Sequence, residues 1–450
     1  MRRAVRRRPA VAAALLLLAT AAPAFAQGSP PGAPAWLAGV RAMLEQAGRD
    51  APGIQNSVTQ VAYLTNIVEL QARAGDVTGA LKTLAALRTP ALKSLGSVRL
   101  AHGQAAAGDA AGALETLREV KSGDVAKTMA LIAAAQARAR DLSAATQTAS
   151  AIPIPGWRNA ALREIAMAQR DAGDLEGALR TAALLQNPTA RLDTYRDVAA
   201  GYARSGDLKA AEATAAAAKG FAPDADLQPA IAEAQAERGD VKDALRRAAA
   251  VKDPHQREAT RGKIAAAQAR AGDVAGALQT VASIRVESRR LASTRDVAVT
   301  LAQAGNVAAA LRTAGGLRAG QDANRVRREI ALAQVRAKDV AAALATAAVA
   351  PTEEERHRLG ADIAATQAAA GDLDGARRTA AAIPDPSLRE RTEFRLLVEQ
   401  AGRGDASGVL AWAAAQPAPD QKVRYLFDAA SAIMESMNRE RRPFETAPRR

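Results

Sequence analysis

The sequence predicts an all-α fold, an α-solenoid of about eleven antiparallel helix pairs with capping helices at its ends. Three observations carry that prediction: a Gly-Asp pair that returns at one spacing, an aliphatic residue nine positions before each aspartate, and a small residue four positions after it. The aspartates are Asp76, Asp109, Asp141, Asp174, Asp207, Asp240, Asp273, Asp339, Asp372 and Asp405, with Asn306 filling the one gap in the series. Every interval is 33 residues except one of 32. Nine of the eleven positions follow a glycine directly, Arg140 and Lys338 being the exceptions.

A glycine just past a helix reaches the left-handed conformation that ends it, and an aspartate after it caps the free N–H groups of the next helix. Each Gly-Asp therefore reads as a tight turn between two helices. The aliphatic positions run Ile67, Leu100, Ile132, Ile165, Val198 and so on to Leu396, and the small residue is alanine from Ala80 to Ala376, then Val409. Helical spacing puts both on the faces that meet. Aromatic residues are 3% of the chain against 48% hydrophobic, so alanine supplies most of the apolar content, which suits thin, closely stacked helices.

The elements follow in chain order. Residues 1–26 read as an export signal: Arg2, Arg3, Arg6, Arg7 and Arg8 precede an apolar run centred on Leu15 to Leu18, and Ala24-Phe25-Ala26 fits the cleavage rule, with the cut after Ala26. A retained membrane anchor is the alternative, but the apolar run is shorter than the roughly 20 residues a bilayer span needs. The paired arginines admit a twin-arginine signal, yet the residues after them follow that pattern poorly, so ordinary secretion is expected. Residues 27–57 form a linker and a capping helix from Trp36 to Gln46, and the repeats occupy 58–417. Each repeat closes near a proline, as at Pro153, Pro188, Pro254, Pro351 and Pro384, where the helix cannot continue. Residues 418–438 are a lone helix whose Tyr425, Phe427, Ile433, Met434 and Met437 suit a terminal cap, and 439–450 is expected to be a disordered basic tail.

In its helix, turn and helix of about 34 residues, the unit resembles the tetratricopeptide repeat. The matching features are the aliphatic position of helix A with a small residue beside it, the turn, and the alanine early in helix B. It departs from the family in lacking the large aromatics of both helices, and its closing proline comes early. A sister class of helical repeats of 33 to 36 residues stays open. The resemblance implies a right-handed superhelix whose concave wall, lined by helix A, holds a peptide segment or a helix of a partner protein.

Catalysis finds little footing. His102, His255 and His357 share no spacing, cysteine is absent, and there is no phosphate-cradling loop or metal-ligand cluster, so no enzyme activity, cofactor or metal is expected. Absent cysteine also removes disulfides from an exported chain. The net charge of +14 falls to +9 once the five leader arginines are set aside, a mild excess that suits an acidic partner or simple solubility. The scattered Trp36, Trp157 and Trp412 do not interleave with basic positions, which argues against nucleic acid.

Three polar series remain. A glutamine stands five residues before nine of the caps, from Gln71 to Gln400, and is expected to satisfy polar groups between neighbouring repeats. Arg158, Arg191, Arg257, Arg290, Arg356 and Arg389, sixteen residues before their caps, form a candidate basic stripe able to fork onto carboxylates or sulfates. The competing reading has each bond the last carbonyls of the preceding helix. Arg73, Arg138, Arg204, Arg270 and Arg336 occupy alternate repeats three residues before the cap. Stacking would place Arg138, Asp171, Arg204, Glu237 and Arg270 in a row of alternating sign that pairs between repeats. The sequence therefore suggests a periplasmic or secreted, non-catalytic scaffold for a protein or peptide partner. Recognition of an anionic polymer such as an acidic polysaccharide is the second reading, and neither nucleic acid nor a transmembrane segment after signal cleavage is expected.

Overall fold

The computed structural model describes residues 34–118, 120, 125–317 and 320–441. The export signal at 1–26 lies outside them, as does the tail from residue 442; residues 439–441 continue the last helix. Among the described residues there are 24 α-helices and no strand. Helix α1 is Ala35–Asp50, followed by a 3-10 turn at Ala51–Gly53. Eleven helix pairs follow, from α2 (Ser57–Arg73) with α3 (Val77–Ala85) to α22 (Pro386–Gly402) with α23 (Ser407–Ala414), and α24 (Pro419–Arg441) ends the series. The first helix of a pair, helix A, runs 11 to 18 residues and the second, helix B, 8 to 12.

The turn between A and B is the repeated motif made physical. In the pair α14 (Pro254–Arg270) and α15 (Val274–Ala282), Gly272 sits at φ +85°. Its N–H donates to Ala269 O at 3.1 Å, and the Asp273 N–H donates to Gln268 O at 2.9 Å, the paired bonds that close a helix C-terminus. The Asp273 carboxylate then accepts the Gly276 N–H at 2.9 Å and caps α15. One aspartate thus finishes one helix and starts the next. All eleven turn residues adopt φ between +64° and +108°, including Arg140 and Lys338, where a Cβ makes that conformation costly. Asp240 and Asp405 depart from the capping pattern: Asp240 makes no side-chain cap bond and pairs instead with Arg238, while Asp405 takes the Ser407 N–H and hydroxyl.

The predicted packing positions are buried throughout. The eleven aliphatic residues of helix A are at most 4% exposed, and the eleven small residues of helix B are 0% exposed. A side chain no larger than alanine lets the two backbones approach closely, and the aliphatic residue fills the space left. Neighbouring repeats share one core, as where Ala277, Val297, Leu301, Val326 and Ile330 form a single cluster. The prolines act at the other end of the unit: Pro90, Pro155, Pro188, Pro254, Pro386 and Pro419 are each the first residue of a helix, where a missing N–H costs nothing. They open the next helix A besides closing the last B.

By contacts the described residues divide into two compact bodies, one of 34–194 with 400–441, the other Tyr195–Glu399. In the first body the two end helices meet each other. Helix α24 lies against α1, the 3-10 turn, α2 and α23. Tyr63 of α2 meets Phe427 of α24 edge-on at 5.9 Å, and Trp412 of α23 meets Tyr425 likewise at 6.1 Å. Val40, Met43 and Leu44 of α1 are fully buried, as are Val423 and Ala430 of α24. The lone helix A that the sequence leaves at its C-terminus is thus paired with the chain's first helix. In the second body, repeats stack through their A helices, with Tyr195 against Phe221 covering the one long B helix, α11 (Leu208–Lys219).

Candidate functional site

In seven of the nine repeats that carry it, the recurring glutamine bonds inside its own repeat, which differs from the expected role between repeats; Gln71 Oε1 and Gln136 Oε1 are buried without a hydrogen-bond partner among the described residues. Gln104, Gln169, Gln268, Gln334 and Gln367 each accept a hydroxyl hydrogen bond at 2.6 to 2.8 Å from a threonine twelve residues on, in helix B. The amide of Gln268 also donates to the capping Asp273, and that of Gln367 to Asp372. Gln235 uses Arg247 in place of threonine. The spacing explains the choice: helix A and helix B are antiparallel neighbours, so the twelfth residue on comes back beside the glutamine. A ladder open to a ligand is therefore absent at these positions.

The six arginines of the first series share one geometry. Arg158 donates to Ile152 O, Arg191 to Leu185 O, Arg257 to Val251 O, Arg290 to Ile284 O, Arg356 to Ala350 O and Arg389 to Ile383 O, at 2.8 to 3.3 Å. Each acceptor is a buried apolar residue just past helix B, so the guanidinium ties the end of one repeat to the start of the next. All six side chains are half-buried. The stripe exists as a series, and its chemistry is that of a brace.

The alternating row is realised in part. Arg204 Nε donates to Glu237 at 2.9 Å, as stacking predicts. Arg138 reaches Glu164 at 3.8 Å instead of Asp171, because Arg170 on the same helix already holds Asp171 at 2.7 Å. Arg270 makes no ion pair with Glu237 among the described residues, and its Nε is buried without a hydrogen-bond partner. Arg336 is exposed.

The charged network that does cross between repeats lies elsewhere on helix A, its basic members ten and eleven residues before the caps. Asp362 of α20 (Glu353–Ala370) is shared by Arg328 of α18 (Gln321–Arg336) at 2.6 Å and Arg395 of α22 at 3.4 Å, bridging three successive A helices. Arg295 bonds Asp322 at 2.8 Å, Lys263 bonds Glu233 at 2.7 Å, and in the first body Arg99 bonds Glu69 at 2.8 Å. The hydrogen bond to Asp322 raises the Arg295 pKa above the ordinary arginine range, and that to Asp362 does the same for Arg328. Both side chains keep their charge. The arginines are half-exposed, 49% for Arg328 and 53% for Arg395, so each pair contributes only about 0.2 to 1 kcal/mol. The sequence carries the basic members at ten and eleven residues before the caps, but their acidic partners share no one offset, and apolar residues such as Leu131 and Ala230 take the same place in other repeats.

Among the described residues no group of three or more His, Asp or Glu is placed to hold a metal ion, and no helix is long and apolar enough to cross a membrane. No family model matches this chain. No curated protein is similar to it either. Among solved structures, the chain is similar at 13% identity, over 90% of its length and 89% of the other chain, to a circular tandem repeat protein with a novel repeat topology and enhanced subunit contact surfaces. The TM-score of 0.14 leaves that likeness without bearing on the geometry described above. What stands is a helical repeat protein of the all-α class.

Proposed function

We propose that this protein is an exported, non-catalytic scaffold, built from degenerate tetratricopeptide-like repeats, that binds an extended segment or a helix of a partner protein along its A helices. The observation that supports this best is the sharing of Asp362 by Arg328 and Arg395 across three repeats. Half-exposed pairs of that kind lose little when one partner is exchanged, so a carboxylate or backbone carbonyl of a bound segment can replace Asp362 on either arginine at small cost. The repeat spacing offers such contacts in register, and several modest contacts add to useful affinity.

An anionic polymer held by the arginine stripe draws less support. Releasing Arg257 or Arg290 for a sulfate strands a carbonyl of a buried residue, which loses more than an exposed ion pair does. Affinity capture with quantitative mass spectrometry separates the readings. A partner retained by the unaltered protein and by Arg290→Gln, but lost with Arg328→Glu/Arg395→Glu, supports the scaffold. A polysaccharide retained by the charge-reversed protein, and lost with Arg290→Gln and rising salt, refutes it.

A further inference from the structure

Twelve residues before the capping aspartate, three repeats carry a buried apolar side chain, Leu64, Met129 and Leu162. In the repeat capped by Asp372 that position is Gly360, in the interior of α20. Glycine weakens a helix interior relative to alanine. Two other glycines in helix interiors answer to close approach, since a Cβ on Gly103 would fall 2.2 Å from Glu69 O and one on Gly262 2.3 Å from Ser293 Oγ. Gly360 does not: its Cβ would meet nothing nearer than Ile383 Cγ1 at 4.0 Å.

The room left is a cavity of about 500 Å³ between α19 (Val340–Ala348), α20 and α21 (Leu373–Ala381). That volume is in the range of small-molecule sites. Val340, Leu344 and Ala347 form one wall, and Ala382 and Ile383 the other. Leu344 is 43% exposed, an apolar surface facing an apolar slot. Arg356, His357 and Arg378 bring basic groups to the same space. Arg356 is engaged, donating to Ala350 O at 3.0 Å with Glu353 3.7 Å away. The Arg378 side chain makes no hydrogen bond or ion pair with another described residue, and it is exposed. The acidic lining group, Asp372, already accepts bonds from the Gly375 N–H and the Gln367 amide, so its charge is held inside the turn.

We propose that this cavity binds a small amphipathic carboxylate, its alkyl or aryl body between the two apolar walls and its carboxylate on Arg378. A neutral molecule would leave the guanidinium unused, and a bare inorganic anion would leave the walls wet. The direction is set by Arg378, since the other lining arginine, Arg356, is already engaged.

Calorimetric titration of the full chain with octanoate, octanol and inorganic phosphate tests this. Octanoate is expected to bind saturably, one per chain, and about tenfold or more tightly than either control, the margin expected of one charge-assisted hydrogen bond. Gly360→Leu, which fills the space beside Ile383 with the residue that two other repeats carry, is expected to keep or raise the melting temperature and to abolish octanoate binding. Arg378→Gln is expected to weaken octanoate about tenfold and leave octanol unchanged. No saturable octanoate binding, equal binding of octanol, or undiminished binding by Gly360→Leu overturns the proposal. If Gly360→Leu fails to fold, the Arg378→Gln comparison decides alone.

Discussion

The Thr181 hydroxyl donates to Gln169 Oε1 at 2.7 Å, joining the two helices of one repeat through a pair of buried side chains. Recurrence of this bond in four other repeats makes it a strut of the hairpin, since a buried amide without it would keep an unmet acceptor. Thr280→Val is therefore expected to destabilise by about 1 to 3 kcal/mol in urea unfolding, because it strands Gln268 Oε1. Thr148→Val serves as the contrast. The Thr148 hydroxyl is buried and has no partner among the described residues, so the isosteric valine is expected to be neutral or stabilising. Equal losses at the two sites would show that the bond contributes nothing.

The brace arginines yield a second prediction. Arg290 Nη1 donates to Ile284 O at 3.3 Å from a half-buried position, and removing the guanidinium leaves that carbonyl without it. Arg290→Ala is expected to lower stability by about 1 to 2 kcal/mol. Arg312→Ala, on an exposed site of helix B with no bond to a junction carbonyl, is expected to stay within about 0.5 kcal/mol. Binding of polyanions with unchanged unfolding in Arg290→Ala would reverse the assignment of this series from structure to recognition.

These two series show where the sequence was legible. Turn, capping aspartate and packing positions depend on the backbone and on near neighbours in the chain, so one period of 33 residues exposes them, down to Ile363 and Ala376 at 0% exposure. The arginine stripe was visible as a pattern while its partner was undecided, because a carbonyl six residues upstream and a ligand carboxylate ask the same thing of a guanidinium. The Asp171 pairing failed for a local reason: Arg170, adjacent in sequence, reaches it first. The bridge through Asp362 and the cavity at Gly360 were illegible, since both arise from what one repeat lacks or changes against its neighbours.

At two turns a side chain sits where nine others have glycine. Arg140 and Lys338 hold φ of 65° and 64°, a left-handed conformation that crowds Cβ against the following carbonyl. Lys338→Gly is expected to stabilise by about 0.5 to 1 kcal/mol, since native strain is relieved and only part of the gain returns as unfolded-chain entropy. Gly272→Ala, the reverse change at φ +85°, is expected to cost a similar amount. Melting curves that move the same way for both would contradict the turn geometry.

Asp385 caps α22 by accepting the Leu388 and Ser387 N–H groups, and the Leu388 bond is the first cause holding its carboxyl below the ordinary value of about 3.8. A depressed folded pKa means that the unfolded chain takes up the proton first. The contribution is therefore present above the ordinary value and fades as pH falls through the folded one. Carbon-detected titration is expected to place the Asp385 midpoint below that of an unstructured aspartate. Asp385→Ala is expected to be less stable than the unaltered chain at pH 6, with the gap closing in acid. A gap that persists below the folded midpoint would assign the effect to packing instead of charge.

The meeting of α1 with α24 carries the largest single test of the architecture. A plain end cap would cover only α23, and its removal would leave α1 as it was. Here α24 also lies on α1, the 3-10 turn and α2, with Tyr63 edge-on to Phe427 at 5.9 Å. A chain ending at Gln416 is expected to bind a hydrophobic dye and to lose amide protection across Val40–Ala47, nearly 400 residues away in sequence, because the partner of that apolar face is gone. Met43→Ala is expected to cost about 2 to 5 kcal/mol from its fully buried site. A double-mutant cycle on Tyr63→Leu and Phe427→Leu should return a coupling of about 0.5 to 1.5 kcal/mol. Retained protection of α1 in the shortened chain, together with zero coupling in the cycle, would mean that the two end helices fold independently and that α24 caps only the helix before it.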